Sequence, residues 1–255
     1  MKGGASERTR SPRSPATLVL LCLCAASGII GLTSLGVWQL ERRTWKLDLI
    51  QKVESRVRAT PLSAPGPAAW PAVNSADDEY KRVTASGHFL NDRETLVQAV
   101  TERGSGFWVL TPLLTDGGFT VLVNRGFVPA ERRGPATRAE GQITGGTAVT
   151  GLLRISEPKG GFLRTNDPAA DRWHSRDVAA IAAARGLTDT APYFIDADAT
   201  PNPGGLPIGG LTVIAFRNTH LVYALTWFAL ALMLTVFTIR VAREELRIRR
   251  TGPLD

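Results

Sequence analysis

Two long stretches without a charged residue bracket the chain, over 14–40 and 218–239. The second alone makes about 33 Å of helix against a hydrocarbon core of roughly 30 Å. Each is long enough to span a bilayer. Beyond the first run, Trp45, Leu49, Val53 and Val57 recur at helical spacing and predict a short juxtamembrane helix over 41–57. Pro61, Pro65, Pro67 and Pro71 then interrupt regular structure and read as a linker over 58–79. Further on, the apolar positions fall in short β-branched and aromatic runs, at 82–89, 95–100, 107–114, 119–124, 148–155 and 211–216. Turn residues such as Asp116-Gly117-Gly118 separate them. One helix interrupts these strands, with Ser175 as N-cap, Asp177 in its first turn, Val178, Ile181 and Ala182 on its buried side and Gly186 as terminator. The expected fold is α+β and membrane-anchored: transmembrane helices over 16–40 and 218–239 flank a mainly antiparallel β domain over 41–217.

Charge sets the expected orientation. The chain of 255 residues carries a net charge of +7, most of it in the tails. Lys2, Arg8, Arg10 and Arg13 stand against Glu7 before the first run. Five arginines stand against Glu244, Glu245 and Asp255 after the second. The large middle segment keeps only a small excess and shows no basic face alternating with exposed aromatics, which points away from nucleic acid. Basic residues at the outer ends of both runs place the tails 1–15 and 240–255 in the cytoplasm by the positive-inside bias, and the middle domain on the far side. Arg42, Arg43 and Lys46 oppose that bias, but a long segment translocates largely regardless of its charge. Ala25-Ala26-Ser27 offers small residues for signal cleavage, yet the apolar run continues well past them, as an anchor does.

Candidate chemistry is sparse. Cys22 and Cys24 lie two positions apart in the first run, facing different directions on a helix, and read as inert. His88 and His174 are the histidines of the middle domain. His174, Ser175, Arg176 and Asp177 form a cluster that either caps and solvates a helix start or, in an enzyme reading, supplies an acid–base pair. No nucleophile elbow, phosphate-cradling glycine loop or paired metal-ligand histidines accompany it, so the chain reads as a non-enzyme. Arg125, in Asn124-Arg125-Gly126, is expected either in a structural ion pair, the preferred reading, or on a bound carboxylate. Gly126 is expected to relax the backbone where a strand ends. Ser27, Gly31 and Ser34 form a small-residue stripe in the first run, and Ala224 and Ala231 offer similar positions in the second, so the two helices are expected to pack together.

An ordered set of segments carries a resemblance. Leu35-Gly36-Val37-Trp38-Gln39-Leu40 closes the first run, followed by Val123-Asn124-Arg125-Gly126-Phe127-Val128-Pro129 and Gly151-Leu152-Leu153-Arg154. Then come Trp173-His174-Ser175-Arg176-Asp177, Tyr193-Phe194-Ile195-Asp196-Ala197, Gly204-Gly205-Leu206-Pro207-Ile208-Gly209-Gly210, and Arg217-Asn218-Thr219-His220-Leu221 with Thr226-Trp227. In this order, between two apolar runs, they resemble the Surfeit-locus-one family of cytochrome c oxidase assembly factors.

The resemblance implies a bacterial-type inner-membrane protein that binds haem a transiently and assists its delivery to oxidase subunit I, with membrane lipid around its helices and haem a synthase as a further partner. The alternative is a chaperone that holds subunit I without touching haem. The family's histidine at the entrance to the second span falls on His220. Tyr223, Ala224 and Trp227 lie at i+3, i+4 and i+7 from it, so one helix face offers an imidazole, a small gap and two aromatic surfaces to a flat macrocycle. On this reading His220 ligates the haem iron and Arg125 is a candidate contact for a haem propionate.

Overall fold

The computed structural model describes residues 13–161, 163–214, 216 and 218–251. The outermost tail residues, and Arg217 at the expected edge of the second run, lie outside them. The chain divides into two compact units, Met1–Ile50 with Phe216–Asp255, and Gln51–Ala215.

The first unit holds the two apolar helices, both long and apolar enough to cross a membrane. Helix α1 runs unbroken over Pro15–Arg58, so the separate juxtamembrane helix expected at 41–57 is its continuation. The reason is local: from Gln39 to Arg58 the sequence has no glycine or proline and is rich in Leu, Glu, Lys and Arg, all good helix formers. It stops before Pro61, which disfavours helical backbone just upstream.

The second unit is a β domain. Its strands are β1 (Leu62–Ser63), β2 (Arg82–Phe89), β3 (Thr95–Thr101), β4 (Gly104–Thr115), β5 (Thr120–Pro129), β6 (Gly146–Ile155) and β7 (Thr190–Ala197). They form one sheet in the order β1-β2-β6-β7-β5-β4-β3, and β2 also pairs with β4. That extra pairing closes β2, β6, β7, β5 and β4 into a five-stranded barrel, with β1 and β3 appended outside the ring. All barrel pairings are antiparallel except β5 with β7.

Alternation along the strands builds two cores. Val121 and Val123 of β5 and Tyr193 and Ile195 of β7 join one apolar cluster with Val83, Leu113 and Leu153. Leu122 and Phe194 face the other way, into a second cluster with Val97, Leu110, Trp173, Val178 and Ile181. Strands buried on both faces lose the period-two signature, and β7 was accordingly not among the expected strands.

Three expectations need correction. Over 211–216 none of the described residues is in a strand; every barrel strand already has two neighbours, so no ring edge is free, and Val213 is exposed. The proline-rich stretch 58–79 is folded against the barrel rather than acting as a linker: β1 pairs with β2, and Trp70 meets Phe119 edge to face at 5.8 Å. A short helix α2 (Ser75–Asp78), capped by Asn74, closes the segment. Finally, helix α3 (Val178–Ala184) is capped by Asp177, whose side chain accepts from the Ala180 N–H, not by Ser175. The burial of Val178, Ile181 and Ala182 follows the pattern, and Gly186, at φ +61°, ends the helix as expected.

Candidate functional site

Helix α4 (His220–Thr251) opens on His220 itself. Its Nδ1 lies 2.7 Å from Oε1 of Gln39, near the end of the apolar part of α1. An amide oxygen only accepts, so the contact selects the tautomer that carries its proton on Nδ1 and leaves the Nε2 lone pair for another partner. Metal-binding histidines are held in this way, by an acceptor on the second ring nitrogen that orients the ring and raises its basicity. Gln39 was not singled out from the sequence. The signal was present, as an uncharged polar side chain at the end of an apolar run.

The helix pair explains why those two side chains meet. Contacts run in opposite chain directions: Gln39 with His220, Gly36 beside Phe228, Gly28 beside Leu234, and the backbone N–H of Arg13 donating to Glu245. The helices are therefore antiparallel. On α4, Ala224, Ala231 and Glu245 are buried, and with half-buried Thr238 they recur every seven residues, the spacing of a left-handed helix seam. The expected contribution of Ala224 and Ala231 to the pairing is present. On α1 the face differs from expectation: Ser27, Gly31 and Ser34 are exposed, and a Cβ added at Gly31 would meet nothing within 4 Å. The close approach falls on Gly36, where a Cβ would stand 2.5 Å from the Phe228 ring. The half-buried Ala25, Leu32 and Gln39 keep the seven-residue period on α1, whereas the stripe read from small residues alone lies off the seam.

The expected four-residue face of α4 is accordingly split. Ala224 is 1% exposed, withdrawn into the helix seam, while Tyr223 is 54% exposed and Trp227 is half-buried. The structure brings His220 together with Gln39, and leaves the Tyr223 ring exposed beside them.

In the barrel unit, Arg125 is not in an ion pair. It is 2% exposed, and its Nη2 donates to the carbonyl of Gly141 and, at 2.9 Å, to Oδ1 of Asn202. Its guanidinium lies over the Phe89 ring, 4.6 Å from the centroid. Burial pushes its pKa down to about 10, so the group stays charged at neutral pH. Gly126 sits within β5, not at its end, at φ +129° with the Ile208 carbonyl pressed against it.

The segments read in order along the sequence converge on Asp196 of β7, which is 3% exposed. Its carboxylate accepts from Asn124 Nδ2 at 2.8 Å, Arg154 Nη1 at 2.9 Å, Arg176 Nη1 at 3.1 Å and Thr212 Oγ1 at 3.0 Å. Arg176 also pairs with Glu157 and Arg154 with Glu79. Burial works against the Arg176 charge, but Asp196 and Glu157 together raise its pKa. The His174–Asp177 cluster is thus divided among structural tasks. Arg176 enters this network, Asp177 accepts from the backbone N–H groups of Ala180 and Lys159, and Ser175 Oγ accepts from Gly160 N–H and Asn166 Nδ2.

Comparison with known proteins gives a consistent result. The SURF1 family model matches residues 26–232. The chain is 39% identical to Surfeit locus protein 1 of Homo sapiens over 214 residues, covering 77% of this chain and 69% of that protein. It is 38% identical to Surfeit locus protein 1 of Xenopus tropicalis, over 77% of this chain and 67% of that one. It is 37% identical to a SURF1-like protein of Monosiga brevicollis over 236 residues, 86% of this chain and 87% of the relative.

Proposed function

Because the chain belongs to the SURF1 family, we propose that it is a membrane-anchored assembly factor for haem-copper cytochrome c oxidase that binds haem a and assists its delivery to subunit I. The observation that carries the haem part is the His220–Gln39 contact. It orients an imidazole at the mouth of a paired apolar helix unit and leaves Nε2 free to take an axial position on iron. Haem a is cargo on this reading, and the residues act by binding and release rather than by catalysis. Tyr223, exposed one turn beyond His220, and Trp227 offer aromatic surface to the macrocycle. Subunit I receives the haem and haem a synthase supplies it.

The two helices anchor the protein in a bacterial-type inner membrane, with both termini cytoplasmic and the barrel periplasmic; the basic tails support this orientation. A reporter active only outside the cytoplasm, inserted after Pro158, is expected to be active, and activity from a cytoplasmic reporter at that site would reverse the topology. The haem reading is tested by the absorption spectrum of the full chain purified in detergent after co-expression with haem a synthesis. Haem bands in the parent and their loss in a folded His220→Ala variant are expected. A parent that purifies without haem yet supports oxidase assembly would favour the haem-independent chaperone.

A further inference from the structure

Three basic residues, Arg42, Arg43 and Lys46, follow the apolar part of α1, at the end where the orientation bias disfavours positive charge. Two of them share a face with Gln39. Arg43 and Lys46 stand at i+4 and i+7 from it and continue the side of α1 that meets α4, about 6 and 10 Å further along the axis. Both are half-buried, whereas Glu41, Arg42 and Asp48 are exposed. Arg42 turns aside to stack on Trp45, 4.0 Å from the ring centroid. Glu41 and Asp48 lie about half a turn round the helix from Gln39, on its opposite side.

Neither Arg43 nor Lys46 has a hydrogen-bond or ion-pair partner among the described residues, and no side-chain nitrogen of either is enclosed. His220 Nε2 is likewise unpartnered and open, since the ring is held through Nδ1. The helix pair therefore presents an iron ligand and, beyond it, two accessible cations without a counter-charge. The barrel's spare cation differs. Arg125 has its Nε and Nη1 enclosed, and the nearby Glu94 gives both carboxylate oxygens to Arg138.

We propose, on the haem reading above, that Arg43 and Lys46 bind the two propionate carboxylates of the haem whose iron His220 takes. A carboxylate is strongly disfavoured in hydrocarbon, so the propionate edge turns toward the polar end of the helix pair and the apolar tail toward lipid. Two monoanionic arms on one edge of the macrocycle match two cations. The guanidinium suits a carboxylate bidentately, and the ammonium supplies a point charge.

The test titrates the purified full chain, in an uncharged detergent, with haem a and with its propionate diester. The parent is expected to bind the diester about tenfold or more weaker than haem a. With Arg43→Gln and Lys46→Gln combined, affinity for haem a is expected to fall to that for the diester, while the absorption bands set by His220 keep their positions. Arg43→Lys with Lys46→Arg, which keeps both charges, is expected to restore the preference. Equal binding of haem a and diester by the parent, or a preference kept in the double glutamine variant, overturns the proposal and leaves haem at His220 standing. A parent that binds neither form overturns the haem reading and the proposal with it. If the double variant does not fold, each single substitution is expected to lose part of the preference, and an unchanged preference in both overturns the assignment.

Discussion

Gln39 and His220 stand 181 residues apart in sequence and 2.7 Å apart in space, joining one end of a helix pair whose opposite end is joined by the Arg13 N–H donating to Glu245. Replacing Gln39 by Leu removes the acceptor while preserving bulk and helix propensity. Loss of such a supporting contact typically lowers metal affinity by about 10- to 100-fold, and haem content per purified protein is expected to fall accordingly. Gln39→Glu, which keeps an acceptor, is expected to retain most of it. Unchanged haem content in Gln39→Leu would show that the ring needs no such support.

The two glycines of α1 separate packing from mere small size. Gly36→Leu drives a side chain into Phe228, whereas Gly31→Leu meets open space. Cysteine cross-linking between the helices in native membranes is expected to drop sharply in Gly36→Leu and to stay at parental level in Gly31→Leu. Equal behaviour of the two variants would contradict the seam described above.

Asp196 ties four donors from four separate segments. In Asp196→Asn, two partly buried guanidinium groups lose the buried carboxylate they share, and breaking a buried charge network costs about 3–5 kcal/mol. A large fall in the transition temperature of the barrel is expected by circular dichroism, with secondary structure retained at low temperature. A shift below a few degrees would show that Glu157 and Glu79 suffice.

At Gly126 a methyl group faces both an unfavourable φ of +129° and the Ile208 carbonyl oxygen at 2.1 Å. Gly126→Ala is expected to destabilise the barrel by about 2 kcal/mol or more from backbone conformation alone, and more from the clash. Its yield of folded protein in membranes should fall well below that of Gly134→Ala, where the nearest atom is a threonine methyl at 3.9 Å.

The apolar helices, the five strands β2 to β6 and the buried face of α3 were legible in the sequence because each depends on local periodicity. The failures share a cause. Leu211 to Ile214 have strand-like side chains but meet a ring with no vacant edge, a property of the whole sheet. Arg125 looked like half of an ion pair because nothing local reveals that Glu94 is spent on Arg138. Ser27, Gly31 and Ser34 satisfied the small-residue rule, yet which face of α1 meets α4 depends on where Phe228 and Ala224 fall along the other helix. Gln39 and Asp196 gain their roles only from partners far away in sequence.

The Gly36–Phe228 contact also acts as a position stop. Helices with a seven-residue seam can in principle slide past each other by one repeat and keep apolar groups in contact. A slip of one repeat would bring Phe228 to Ile29 or to Arg43, and neither side chain leaves the hollow that the ring occupies at Gly36. The helix pair thus has one permitted axial setting, and that setting holds the His220 ring level with Gln39.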